Sequence, residues 1–454
     1  MKKLLCGDRQ FYKTLTHIAL PIAIQNLIMT SLNLVDTVMI GQLGETNIAA
    51  VALGNQIFFL IALFLFGVGS GASVFIAQFW GKKDISNIRK ILGLGLICSI
   101  LVSAVASIII LLFPGFVLSL FTEDMEVLRI GSTYLRIVCF SYIPTAISFC
   151  FASTLRSTGQ AKLPTISSAI ALTVNTLLNY ILIFGKLGLP AMGAKGAAIA
   201  TLVARLCETF LILGSVYMLK LPPAASIKEM TSFNRDFAIR FFRLSIPVIL
   251  NEVLWSVGVT MYTVVYGRMG TNILASVNIS AAIERIAFVL FIGMANASAI
   301  MVGNKIGEGD EDTAFLYAKR LVLLGPILGI FTGIVVFLFS RNILSIYNVS
   351  EEVYRNACLI LSVFCFVMPF KIFNMINIVG ILRSGGDTKY CLFLDTAGVW
   401  LIAVPLGFIG GLVYHLPLFT VYLLVSLEEV FKLFFGVKRF LSGKWLNNVV
   451  KNMA

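Results

Sequence analysis

Apolar residues run along this chain in long stretches, broken by short polar segments that carry most of the Lys and Arg. Twelve stretches stand out, near 14–40, 46–79, 88–113, 127–153, 161–184 and 192–219, then 240–267, 272–303, 317–340, 353–380, 389–411 and 416–440. Crossing the hydrocarbon of a bilayer takes about 20 apolar residues in a helix. Each stretch therefore predicts a membrane-spanning helix, and those longer than needed predict tilt or protrusion into water.

The pattern is written twice. A shift of 226 positions lays Pro21 on Pro247, Thr37 on Thr263, Gly41 on Gly267, Gly44 on Gly270, Gly67 on Gly293, Gly81 on Gly307 and Asp84 on Asp310, without a gap. After a one-residue slip, Leu155-Arg156-Ser157-Thr158-Gly159-Gln160 lies on Leu382-Arg383-Ser384-Gly385-Gly386-Asp387, and Lys162 on Lys389. A duplicated membrane unit is a common plan among secondary transporters. The expectation is an all-α integral membrane protein of two pseudo-symmetric six-helix bundles, 1–220 and 241–454, joined by a cytoplasmic linker at 221–240.

Composition agrees with a bilayer as solvent. Of 454 residues, 58% are apolar and 13% charged, against roughly 25% charged in a soluble domain. The net charge of +13 sits in short loops and builds no basic face, which excludes a nucleic-acid partner. The positive residues divide by side. The side with both termini holds Lys2, Lys3, Arg9 and Lys13, the Lys82–Lys83 pair, Arg156, the linker Arg residues, Arg383 and Lys432, and the other holds few. By the positive-inside bias, both termini are expected in the cytoplasm, in a multi-pass protein of the plasma or inner cell membrane. Six spans per half is an even number, so both halves enter the membrane in the same direction. Met1-Lys2-Lys3 and the first stretch read as a membrane helix rather than a signal peptide, since Asn26, Asn33 and Asp36 interrupt it. The eight Cys, Cys6 among them, lack metal spacing and read as small core residues. In the linker, Phe233, Phe237 and Phe241 at helical spacing predict an interfacial helix, a plain tether being the alternative.

Ionisable residues inside spans are costly and mark function by default. Asp36 shares a helical stripe with Asn26, Thr30, Asn33 and Thr37; Asn175 and Asn179 share a face of the fifth span, and Thr201 lies in the sixth. A carboxylate among amide and hydroxyl oxygens suits a small hard cation such as Na⁺, and the same acid could instead carry a proton. A structural acid, with the two Asn as interhelical glue, is the other reading. The second half differs: Tyr262 replaces Asp36, Glu252 falls where the first half has Asn26, and Glu284, Arg285, Lys371 and Asp395 lie in later spans. That asymmetry suggests one half for coupling and the other for substrate. Trp255, Met261, Tyr262 and Phe288 are candidates to line a cavity for flat organic cations. Arg205 with Glu208, and Glu428 with Lys432, read as structural pairs. No phosphate loop, zinc-protease helix or nucleophile elbow is present, so neither an enzyme nor an organic cofactor is expected.

Together the twelve spans in two halves, Pro21 with Asp36, Gly41 and Gly44, the Gly81-Lys-Lys-Asp84 turn and the paired Leu-Arg-Ser segments resemble the multidrug and toxic compound extrusion (MATE) transporters over essentially the whole chain. The resemblance implies two six-helix bundles in a V, alternating access, and export of cationic, often aromatic compounds against inward Na⁺ or H⁺. Asp36 then matches the family's span-one acid, with Asn175, Asn179 and Thr201 as its partners; some branches carry a carboxylate where this chain has Asn179. Glu252 lies in the seventh span, where many relatives place an essential acid, and Asp395 in the eleventh. The expected partners are membrane lipid and small organic cations, and the expected state is a monomer. A flippase for lipid-linked saccharides shares this architecture and is the alternative; it would need Arg and Lys lining its cavity.

Overall fold

The computed structural model describes residues 8–347, 349–451 and 453, with side chains throughout except at 32–34. Lys2, Lys3, Cys6 and the side chain of Asn33 lie outside the described residues. Twelve long helices follow in order: α1 Arg9–Gly41, α2 Glu45–Gly81, α3 Ile85–Leu112, α4 Met125–Ser157, α5 Lys162–Phe184, α6 Gly193–Met218, α7 Arg235–Met269, α8 Thr271–Glu308, α9 Glu311–Leu344, α10 Glu351–Leu382, α11 Thr388–Val413 and α12 Leu418–Leu441. There is no strand among the described residues. Each predicted span falls on one helix. Eleven are apolar enough to cross a bilayer on composition alone. The other, α12, carries Glu428, Glu429 and Lys432 in its middle.

The duplicated punctuation does duplicated work. Gly44 and Gly270 turn the chain between the first two helices of each copy at φ +96° and +142°, where a side chain would strain the backbone. Asp84 and Asp310 cap the next helix of each copy, accepting from the backbone N–H of Asn87 and Thr313. Within α10 and α11 the helix widens to π-turns at Ile376–Leu382, Gly398–Ala403 and Ile409–Val413. Such widenings often accompany functional sites.

The chain divides into two compact units. The N-terminal unit is Ile24–Ile76 with Lys83–Phe242. Its core is built on buried Ile61, Leu65, Tyr134, Leu135 and Tyr142. Gly69 lies against the Phe149 ring, in keeping with close helix packing at Gly67–Gly71. The linker departs from expectation. A short helix, Ile227–Thr231, is fixed by a reciprocal Ser226–Glu229 capping box and seats Met230 against Gly93 of α3. Hydrogen bonds from Ser226, helped by the Arg89 guanidinium, hold the Glu229 carboxyl below its usual range. Phe237 and Phe241 do not lie on an interfacial helix: they open α7 and are buried, with Phe241 on the Phe75 ring, because helix formation from Arg235 onward turns their face into the core.

The C-terminal unit is Arg243–Ala454 with Met1–Ala23 and Ala77–Lys82. Phe11 is fully buried against the Tyr317 ring. Beyond α12, Trp445 is fully buried and stacked on Phe440 and Phe315. Gln78 ties this segment down, donating to the carbonyls of Ser384 and Asn447 and accepting from the N–H of Val449. The ends of α2 and α8 cross closely: Gly81 lies on the Asn304 carbonyl, and Gly307 on the Gln78 carbonyl.

Candidate functional site

In the N-terminal unit, α5 turns one face inward because its buried positions recur at helical spacing: Ser168, Ala171, Asn175 and Asn179. The two Asn are each 1% exposed. The Asn179 amide donates to Asp36 Oδ1 of α1 at 2.5 Å and to Asn175 Oδ1 at 3.0 Å. Three of the four expected ligands thus form one connected group. Thr201, partly buried on α6, makes no side-chain hydrogen bond among the described residues. Of the rest of the Asp36 stripe, Thr30 and Thr37 are exposed, and the Thr30 hydroxyl turns back to the Asn26 carbonyl.

Two features mark this group, and Glu429 with Asn374 in the C-terminal unit shares both. Among the described residues Asp36 makes no ion pair. Beside it, Asn179 Oδ1 is buried and accepts from no donor. An orphaned buried acceptor is costly, and a hard cation bound next to it would satisfy it. The oxygens of Asp36, Asn179 and Asn175 therefore fit a small cation. An open recess of about 710 Å³ is lined by Val35, Val38, Tyr180 and Lys186 among others, and neither Asp36 nor Asn179 is in its lining.

Toward the other end of the same helices the polar chain is fully paired. Arg156 donates to Gln25 Oε1 at 3.3 Å, Gln25 to Ser168 at 3.0 Å, and Ser168 to Glu208 at 2.6 Å. Arg205 closes it on Glu208 at 2.9 Å, the structural pair expected on α6.

The C-terminal candidates sit among bases. Glu252 meets Arg383 at 2.7 Å. Glu284 accepts from the Tyr422 hydroxyl at 2.6 Å and faces Lys371 at 3.9 Å. Asp395 accepts from Asn251 at 2.9 Å and faces Lys432 at 3.6 Å. Tyr262 donates to Glu428 at 3.3 Å, and Glu428 pairs with Lys432 at 3.2 Å. Trp255 is exposed and joins none of these. Phe288 does meet a cation, the chain's own Lys371, at 5.9 Å.

Sequence reasoning counted Arg383 among the loop charges and missed Glu429. It placed Lys432 among the cytoplasmic-side charges while pairing it with Glu428, a pair the structure contains. Arg383 is 2% and Lys432 4% exposed, so neither is a loop charge. Glu429 is buried and bonded to Asn374. The repeat itself held the missing signal. Continued at a shift of 227, it pairs Ser168 with Asp395, Thr201 with Glu428 and Arg205 with Lys432. The repeat also maps hydrogen bonds: Gln25 to Ser168 corresponds to Asn251 to Asp395, at shifts of 226 and 227 before and after the slip.

The MatE family profile matches residues 21–181 and again 247–409. The chain belongs to the MatE family. Its members are transporters and not enzymes. The chain is 29% identical over 88% of its length, and 88% of the other's, to a protein of Photorhabdus laumondii named "Probable multidrug resistance protein NorM". A Thermotoga maritima protein of the same name is 23% identical over 96% of this chain and 94% of that one. Among solved structures, a point mutant of the Vibrio cholerae MATE transporter VcmN superposes with a TM-score of 0.88 at 18% identity, over 97% of this chain and 98% of that one. An outward-facing MATE family transporter gives 0.84 at 21%, over 97% and 98%. These likenesses establish the twelve-helix fold of a multi-pass membrane transporter.

Proposed function

We propose that the protein is a cation-coupled multidrug exporter, an antiporter that moves organic, often cationic aromatic compounds outward while Na⁺ or H⁺ flows in. Relatives named as multidrug resistance proteins support the export of such compounds. The observation that carries the coupling site is the orphaned, buried Asn179 Oδ1 beside an Asp36 carboxylate that makes no ion pair among the described residues. A cation entering there completes the oxygen shell and neutralises the acid; Asn175 and Thr201 are its further ligands. Coupling requires the ion to bind the two cleft states with different affinity. Glu252, Glu284, Asp395, Tyr262 and Trp255 are the substrate-side candidates, in a monomer whose termini both lie in the cytoplasm.

Transport of an ethidium-like dye in proteoliposomes tests this reading. Na⁺ and pH gradients are imposed separately on wild type and Asp36→Asn. Export under one gradient, lost in the variant, establishes the antiporter and its ion; undiminished export in the variant ends the Asp36 assignment. The lipid flippase is disfavoured by the scarcity and engagement of its would-be phosphate ligands: of Arg205, Lys371 and Arg285, the first two each face a carboxylate, as do Arg383 and Lys432.

A further inference from the structure

The polar layers of the two units are built at the same repeat positions but charged differently. Asp36 on α1 corresponds to Tyr262 on α7, and Thr201 on α6 to Glu428 on α12. The acid of this layer has changed helices between the copies, and in the C-terminal unit the two positions still touch, Tyr262 donating to Glu428. One turn along, Arg205 corresponds to Lys432. Arg205 is spent on a carboxylate of its own helix, Glu208. Lys432 instead places its ammonium between Glu428 and Asp395, which belong to different helices. The packing makes room for it. Gly398, in a widened turn of α11, lies against the Lys432 stem, and any side chain there would collide with its methylenes. Glu429 completes the surroundings, with Asn374 donating to it. Asn374 Oδ1 and Asn251 Oδ1 remain buried without a donor. The node thus holds three carboxylates and two orphaned amide oxygens. Among the described residues Lys432 is the one cation ion-paired with Glu428 and Asp395; Lys371 and Arg383 act on them from further away.

We propose that Lys432 is a tethered counter-ion, which fills in the C-terminal unit the role left to a free cation at Asp36, and so keeps this half of the transporter silent toward the coupling ion. Resting on the reading of Asp36 as the coupling site, the assignment names Lys432 as the residue that restricts ion binding to one half. Replacing the ammonium by a neutral group would open a second, Asp36-independent site for a small monovalent cation, with Glu428 and Asp395 as its charged ligands.

Cation uptake by purified protein in detergent is the test, with no transport required. ²²Na⁺ binding is measured and, in parallel, proton uptake after a step in pH in weakly buffered solution. The expected series is uptake in wild type, none in Asp36→Asn, uptake again in Asp36→Asn/Lys432→Gln, and none once Glu428→Gln is added. Uptake undiminished in Asp36→Asn overturns the coupling-site reading. Loss in Asp36→Asn that is not regained in a folded Asp36→Asn/Lys432→Gln overturns the Lys432 assignment alone. If Lys432→Gln does not fold, the pair Glu428→Gln/Lys432→Met decides. A counter-ion removed with its partner leaves a melting temperature near wild type, as does Lys432→Arg. A pair as damaged as the single variant overturns the proposal.

Discussion

The two units carry the same fold twice, yet Asp36 and most C-terminal carboxylates within the spans are held differently, although Glu208 of the N-terminal unit pairs with Arg205 and Glu429 of the C-terminal unit is held by the Asn374 amide. In the N-terminal unit Asp36 is held by an amide and makes no ion pair among the described residues. In the C-terminal unit Glu252, Glu284, Asp395 and Glu428 each face Arg or Lys. A buried acid with a base is a closed structural element, costly to break. An acid held by an amide donor and making no ion pair has no base in direct contact. Duplication therefore fixed where polar groups stand, and later divergence chose which of them stay chemically open.

The largest effect that would break this comparison comes from Asp36→Asn: dye export under an ion gradient is expected to fall at least about 100-fold, some 2.7 kcal/mol in equilibrium terms, while the melting temperature in detergent holds. Next come the repeat-related arginines. Arg383→Gln leaves Glu252 buried without its base and is expected to cost about 3–5 kcal/mol of stability. Arg156→Gln removes a hydrogen bond to the neutral Gln25 amide and is expected to cost about 1–1.5 kcal/mol. Equal losses in thermal unfolding would erase the contrast between the units. Gly81→Ala and Gly307→Ala come third. Each sets a methyl group on a backbone carbonyl, for a loss of about 1–3 kcal/mol typical of overpacking, and the two losses should match. The smallest effect concerns the linker. The Glu229 carboxyl is stabilised in its charged form, so that contribution is complete above its ordinary titration range and is lost as the pH falls through the depressed one. Limited proteolysis near 220–234 should quicken only in acid, and Glu229→Gln should show the acid rate at neutral pH.

Most of the architecture was legible in the chain. Long apolar runs leave a bilayer-spanning helix little choice, and all twelve predicted spans fall on helices. Within the site, Asp36, Asn175 and Asn179 were legible because polar residues on one face of an apolar helix need a shared partner. Thr201 lies on the expected helix but shares no hydrogen bond with the group among the described residues. Arg383 was misread for a physical reason: a long basic side chain near a helix end can turn inward to a carboxylate as well as outward to water, and sequence position does not distinguish the two. The buried beginning of α7 was missed because Arg235, Arg240 and Arg243 made its Phe residues look like one face of a surface helix.

The crossing of α2 and α8 carries its own lesson. Gly81 rests on residue 304 and Gly307 on residue 78, and both glycines and both partners are one shift of 226 apart. Residue i meets j while j's copy meets i's copy, which is the self-complementary contact of a two-fold dimer. Within the C-terminal unit one contact is thus written twice. A side chain at either glycine meets a backbone carbonyl, so this pair of positions is closed to the divergence the repeat shows elsewhere.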